Sequence, residues 1–158
     1  MVEVALRPVE DADLDALFDQ MRDPASVQMA AFTTKDPDDR AAFDTRMAKV
    51  RASDDTNLRA VTRDGRLVGS IGSFVVEGDT EITYWIDRSA WGQGIAGRAL
   101  ALFLDTVEVR RPLYARAACD NLGSLRVLRK AGFTTVGTEI SYAPARNAEI
   151  EETILRLD

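Results

Sequence analysis

The chain has 158 residues, 20 of them basic and 26 acidic, giving a net charge of −6, with one cysteine and no histidine. Its length suffices to bury a core without staples, and 46% hydrophobic with 29% charged residues describe a folded chain rather than a disordered one. The absences exclude Ser-His-Asp and Cys-His nucleophile systems, His-ligated metal sites, a disulfide framework and a CxxC redox pair.

The elements follow in chain order. Val2 to Arg7 alternates and reads as a strand that Pro8 ends. Asp11 and Asp13 open a helix whose apolar face is Leu14, Leu17, Phe18 and Met21. Asp23-Pro24 breaks it, and the apolar stretch Ala25 to Phe32 fits at most one short helix. Asp36-Pro37-Asp38 signals another start, continued by Phe43, Met47 and Val50 to about Ala52. Then the period changes. Asn57 to Arg63, Arg66 to Val76 and Thr80 to Asp87 read as strands joined by Asp64-Gly65 and Glu77-Gly78-Asp79, an antiparallel meander. A helix from Gly94 to Glu108, a strand from Leu113 to Ala118 and a helix from Asn121 to Ala131 follow, with Gly132 as C-cap. Thr134 to Tyr142 and Glu149 to Leu157 close the chain as strands. The order predicts an α/β protein with a mixed sheet in one domain, residues 1–158.

The acidic balance argues against a nucleic-acid partner, and no apolar run approaches the ~18 residues of a membrane span. The N-terminus lacks the basic flank and apolar core of a signal peptide, so the expected location is cytoplasmic. No metal site is expected. Any general base is a carboxylate, a perturbed Lys or Tyr, or a water held by one of them.

The most informative segment is Trp91-Gly92-Gln93-Gly94-Ile95-Ala96-Gly97-Arg98, which joins a strand to an amphipathic helix. Small residues admit a ligand close to the backbone, and the helix start offers unpaired N–H groups, so the segment predicts an anion site for phosphate or pyrophosphate. A plain glycine-rich connection is the bland alternative. Gly92, Gly94 and Gly97 also match the dinucleotide pattern G-x-G-x-x-G, with Asp120 where a ribose-binding acid would fall. Residues Arg88 to Trp91 intervene between strand and first glycine, however, and the loop follows a meander rather than opening a parallel array. The chain left after Gly97 is also too short for a nucleotide half-sheet and a substrate domain.

The segment resembles the signature [Gln/Arg]-x-x-Gly-x-[Gly/Ala] of the GNAT N-acetyltransferase superfamily. Two alignments exist. One starts at Gln93; the other starts at Trp91, puts Gly94 and Ala96 in the small slots, and is preferred for its likeness to the family form Trp-Gly-x-Gly-x-Ala. Asn121 to Phe133 resembles the stretch Asn-x-x-Ser-x-x-(Val/Leu)-Leu-x-Lys-x-Gly-Phe of the branch that includes the ribosomal-protein N-terminal acetyltransferases. Glu81-Ile-Thr-Tyr-Trp-Ile-Asp87 resembles that branch's Glu-(Leu/Ile)-Gly-Tyr-Trp-(Ile/Leu)-Asp. The resemblance covers residues 2 to 157. It implies a seven-stranded, mostly antiparallel sheet with a central V-shaped splay and about four flanking helices.

It also implies acetyl-CoA as donor, a primary amine of a small molecule, protein or peptide as acceptor, and direct transfer. The amides from Gly92 through Gln93, Gly94, Ile95, Ala96 and Gly97 to Arg98 would hold the pyrophosphate, and Tyr84, Trp85 and Ile86 the pantetheine. Glu81 would be the base, through a water, with a pKa raised beside an apolar cleft. Asn121 would contact the pantetheine, its plain alternative being an N-cap. The tyrosine acid common in the family falls at Leu128, which leaves Ser124, Tyr142 or water as proton donor. One or two of Arg88, Arg98, Arg126, Arg129 and Lys130 would meet phosphates. Met29, Ala30, Phe32 and the loop from Ser141 to Asn147 would shape the acceptor pocket. Cys119 reads as a small buried thiol, with a ping-pong acyl-cysteine as its rival. Rival functions on the same fold are an acyl-CoA sensor or interaction module and an acyltransferase for longer acyl chains. A homodimer is allowed by the chain and not required.

Overall fold

A computed structural model describes residues 2–158. Its seven strands are β1 (Val4–Pro8), β2 (Asn57–Arg63), β3 (Arg66–Val76), β4 (Asp79–Ile86), β5 (Leu113–Ala118), β6 (Thr134–Ala143) and β7 (Ala148–Leu157). Five helices flank them: α1 (Leu14–Met21), α2 (Pro24–Ala30), α3 (Arg40–Ala52), α4 (Ile95–Thr106) and α5 (Leu122–Lys130). The sheet runs β1-β2-β3-β4-β5-β7-β6, and every neighbouring pair is antiparallel except β4 with β5. That exception positions the site. β4 and β5 pair only at Glu81 with Tyr114 and Ile82 with Ala115, then part. The expected V-shaped splay is present.

The core fills both faces of the sheet. On one, Ile95, Ala99, Leu100 and Phe103 of α4 and Leu125 and Leu128 of α5 pack on Ile71, Ile82, Ile86, Leu113, Ala115 and Leu155. On the other, Leu17 and Phe18 of α1 and Phe43 and Met47 of α3 pack with Ala60. A small third cluster joins Ala31, Ala118 and Ala143 beside α2.

Element boundaries differ from the sequence reading for local reasons. Pro8 belongs to β1 and pairs with Arg59, which an edge strand permits because one side needs no N–H donor. Asp23-Pro24 starts a helix as well as ending one. Asp23 accepts from Ser26 N–H at 3.0 Å and Pro24 fills the first turn, so the short helix that the stretch from Ala25 to Phe32 allowed forms as α2. α3 begins after Asp39, which accepts from Ala42 N–H at 2.9 Å. α4 stops at Thr106 because Glu108, 1% exposed, turns inward to accept from Ser73 Oγ at 2.9 Å and from Arg110. No described helix is long and apolar enough to cross a membrane.

Candidate active site

Where β4 leaves β5, a cleft of about 500 Å³ opens. Tyr84, Trp85 and Ile86 form one wall, Ala90 to Gly92 and Gly94 to Gly97 the head, and Asn121, Gly123, Ser124, Arg126 and Val127 of the α5 region the other wall. Ser26, Met29 and Ala30 of α2 close one side.

The head is built by backbone geometry. Gly92 and Gly94 both hold φ of +75°, a conformation L side chains rarely adopt. Gly94 is the N-cap of α4 and supplies no side chain to the first turn. The first bond back into the helix is Arg98 N–H to Gly94 O at 3.2 Å, which leaves the Ile95, Ala96 and Gly97 amides to point out of the helix start. A Cβ on Gly92, Gly94 or Gly97 would meet nothing within 4 Å, so the space over these amides is open. The arrangement suits an anion with several oxygens.

β4 supplies the floor. Asp87 N–H donates to Val68 O on β3 at 2.7 Å, and β3 pairs with β4 without a register shift. Strand alternation therefore turns the Thr83 and Trp85 amides toward β3 and the Tyr84 and Ile86 amides toward the gap. The Ile86 carbonyl accepts from Trp91 Nε1 at 2.8 Å, which seats Trp91 at the head. The Trp85 indole leaves by the other face and donates to Gln20 O of α1 at 3.0 Å.

Tyr84 and Ser124 meet across the cleft. Their hydroxyls lie 2.8 Å apart, and Tyr84 also donates to the Ser124 carbonyl at 3.3 Å. Burial pushes the phenol up to about 12, against the opposing effect of its bond to Ser124. Asn121 caps α5: its Oδ1 accepts from Ser124 N–H at 3.2 Å while the residue lines the cleft.

Glu81 stands at the vertex of the splay, not in the cleft wall. Instead of an apolar neighbour it has the Arg116 guanidinium, Nε to Oε1 3.1 Å. Arg116 Nη1 also donates to Glu139 at 3.1 Å and to Glu152 at 3.2 Å. Three carboxylates thus share one guanidinium on the face nearest α2. Burial raises the Glu152 pKa, with the hydrogen bond from Arg116 opposing it. Neither Arg116 nor Glu152 stood out in the sequence, because only the β5–β7 register brings them beside Glu81.

Other expected residues lie elsewhere. Arg98 donates to Val2 O at 3.1 Å and its amide is spent inside α4, so neither group faces the cleft. Gln93 is exposed and donates to Ser89 O at 3.4 Å. Arg88 pairs with Asp23 at 2.9 Å and Arg129 donates to Thr135 at 3.3 Å, while Arg126 lines the cleft. Tyr142 is 50% exposed on the β6–β7 hairpin and donates to Asn147, which takes it away from the reacting end. Cys119 is exposed rather than buried, because β5 ends at Ala118 and Cys119 begins the turn into α5. Leu128 lies in the core at 1% exposure. Met29 and Ala30 reach the cleft; Phe32 packs beside Ala118 and Ala143. No group of three or more His, Cys, Asp or Glu suited to a metal occurs among the described residues.

Solved structures share this arrangement of chain. A spermidine N-acetyltransferase from Vibrio cholerae, in complex with CoA and spermine, superposes with a TM-score of 0.84 at 15% identity, covering 98% of this chain and 94% of that one. Mycobacterium smegmatis RimJ, in complex with CoA-disulfide, gives 0.81 at 24% identity over 98% and 81%. A ribosomal-protein-alanine N-acetyltransferase from Brucella melitensis gives 0.81 at 20% identity over 97% and 98%. At these identities the likeness is one of fold. No curated protein matches the chain. The family described as the acetyltransferase (GNAT) domain matches residues 3–134, and with that match the chain belongs to the GNAT acetyltransferase family.

Proposed function

We propose that this chain, as one domain over residues 1–158, moves an acetyl group from acetyl-CoA to a primary amine by direct attack. The observation that carries the reading is the short β4–β5 pairing, which opens a strand-wide gap below the unpartnered amides of α4. The pyrophosphate would take the Ile95, Ala96 and Gly97 amides. The pantetheine would enter the gap against the Tyr84 and Ile86 backbone groups, and one of those amides would hold the thioester oxygen as it becomes an oxyanion. CoA and acetyl-CoA in structural relatives support the donor: the Vibrio enzyme and RimJ hold CoA forms, and a phosphinothricin acetyltransferase from Sinorhizobium meliloti holds AcCoA.

Glu81, with Glu152 beside it on Arg116, would take the amine proton through a water, and the Ser124 hydroxyl would hydrogen-bond the departing sulfur. The excess of carboxylates over guanidinium on the α2 face favours a cationic acceptor, as does the spermine in the Vibrio relative.

The test is release of CoA from acetyl-CoA with a panel of amines and peptides. Release is expected to require the amine, and Glu81→Gln is expected to lower kcat by about a hundredfold or more without changing acetyl-CoA affinity. Tight donor binding with no turnover on any amine favours the sensor reading. Faster turnover of a longer acyl-CoA favours that donor.

A further inference from the structure

We infer that Tyr84 is a positioning residue for the leaving-group end of the reaction: its phenol fixes the Ser124 hydroxyl so that the serine proton points at the departing sulfur. The inference rests on the acetyl-transfer reading above and adds a residue to it.

Two hydroxyls 2.8 Å apart can bond in either direction. If Ser124 donates to Tyr84, its proton is spent inside the pair. If Tyr84 donates to Ser124, the serine proton is free for a ligand. An electron-rich sulfur in the cleft selects the second arrangement, because only that one gives it a donor.

Three features favour a fixed, neutral phenol. The ring packs against the buried cluster beneath α4 and α5, so the hydroxyl has little freedom. Its single proton has two acceptors on one residue, Ser124 Oγ at 2.8 Å and the Ser124 carbonyl at 3.3 Å, and the shorter contact is the one to Oγ. Burial keeps it protonated throughout the working pH range. The position from which a tyrosine would otherwise come on α5 is Leu128, which is core. The chain thus brings its phenol from β4, on the opposite wall.

The amine lone pair forms the C–N bond. The tetrahedral oxyanion collapses and the C–S bond breaks, its electron pair going to sulfur. The Ser124 O–H hydrogen-bonds that thiolate while the Tyr84 O–H hydrogen-bonds Ser124 Oγ. The amine proton leaves by the carboxylate-held water, and the thiolate takes one proton from solvent as CoA departs.

The experiment compares wild type, Tyr84→Phe, Ser124→Ala and the double variant. Tyr84→Phe keeps the ring and removes only the hydroxyl. It is expected to lower kcat by about tenfold, Ser124→Ala by up to about a hundredfold, and the double variant no further than Ser124→Ala alone. Acetyl-CoA affinity is expected to stay within about twofold for all three. A second readout needs no acceptor: the ionisation of the bound CoA thiol, followed by thiolate absorbance against pH. The intact pair is expected to lower the pH of ionisation relative to Tyr84→Phe, and Tyr84→Phe is expected to add nothing in the Ser124→Ala background. Additive losses in kcat, or an unchanged thiol titration in Tyr84→Phe, overturn the inference. Wild type that binds CoA but turns over no amine overturns the acetyl-transfer reading, and the thiol titration then still decides the role of Tyr84. Absence of CoA binding overturns both.

Discussion

Gly94 heads α4 with a φ of +75° and open space where a Cβ would stand. A side chain there does not clash with protein; it strains the turn that aims the helix amides and covers the opening above them. Gly94→Val is expected to weaken acetyl-CoA binding by about tenfold, from a left-handed cost of roughly 1–2 kcal/mol. Gly78→Ala, at φ +87° in the β3–β4 turn, carries a similar backbone cost and is expected to leave binding unchanged. Isothermal titration of both variants checks this. Two buried glutamates give opposite pH behaviour. Glu108 has its pKa lowered, first by the hydrogen bond from Arg110, so its contribution is present above the ordinary 4.5 and lost as pH falls through the lowered value. Glu108→Gln is expected to cost about 1–3 kcal/mol at pH 7, with the gap narrowing in acid. Glu152 has its pKa raised by burial, so its contribution is present below 4.5 and lost as pH rises through the raised value. Glu152→Gln is expected to leave Tm unchanged or higher at pH 7 and to lose that advantage below pH 4.5. Melting curves across pH separate the two. The glycine loop and Ser124, which line the cleft, stand in local patterns of the sequence, as does Glu81, which lies outside the cleft on Arg116. The Arg116 cluster and the Tyr84–Ser124 contact were not legible in the sequence, since both join strands or helices about 20 to 40 residues apart through register alone.

At the scale of elements, α2 is held by its ends. Ser26 is its only buried residue. Its N-cap Asp23 pairs with Arg88 ahead of the glycine loop, and its far end is held by Arg146, which donates to Gln28 O at 2.9 Å and grips Asp120 at the foot of α5. After it, Ala31 takes a φ of +62° and its carbonyl accepts from Ala145 N–H at 3.1 Å. Helix, hairpin and α5 therefore meet at one guanidinium. Arg146→Ala is expected to speed amide exchange across residues 24–31 by about tenfold and to raise the acceptor KM while sparing donor affinity. Exchange mass spectrometry and initial rates check this. Most strands and the long helices followed from period and turn residues, because each buries one face; β6, where Ala143 alone is buried, does not. The short α2 was left ambiguous by its period, because end contacts from distant segments hold it rather than an apolar face.

For the whole molecule, one interruption in the sheet organises everything else. Of the six strand pairs five are antiparallel, and only the parallel pair opens, next to the helix whose first turn is unpaired. The net charge of −6 is a global value; the cleft head and Arg126, which lines the cleft, make a local surface suited to an anion despite it. For the proposed reaction, the missing histidines leave proton movement to carboxylates and hydroxyls such as those at the vertex and the cleft wall. On the proposed function, the gap between β4 and β5 is a donor site for an acyl-CoA rather than a dinucleotide. Isothermal titration of the wild-type chain with acetyl-CoA and with NAD tests that assignment most directly. One acetyl-CoA is expected to bind per chain, more weakly in Gly94→Val, with no binding of NAD. Binding of NAD with no heat from acetyl-CoA would contradict it.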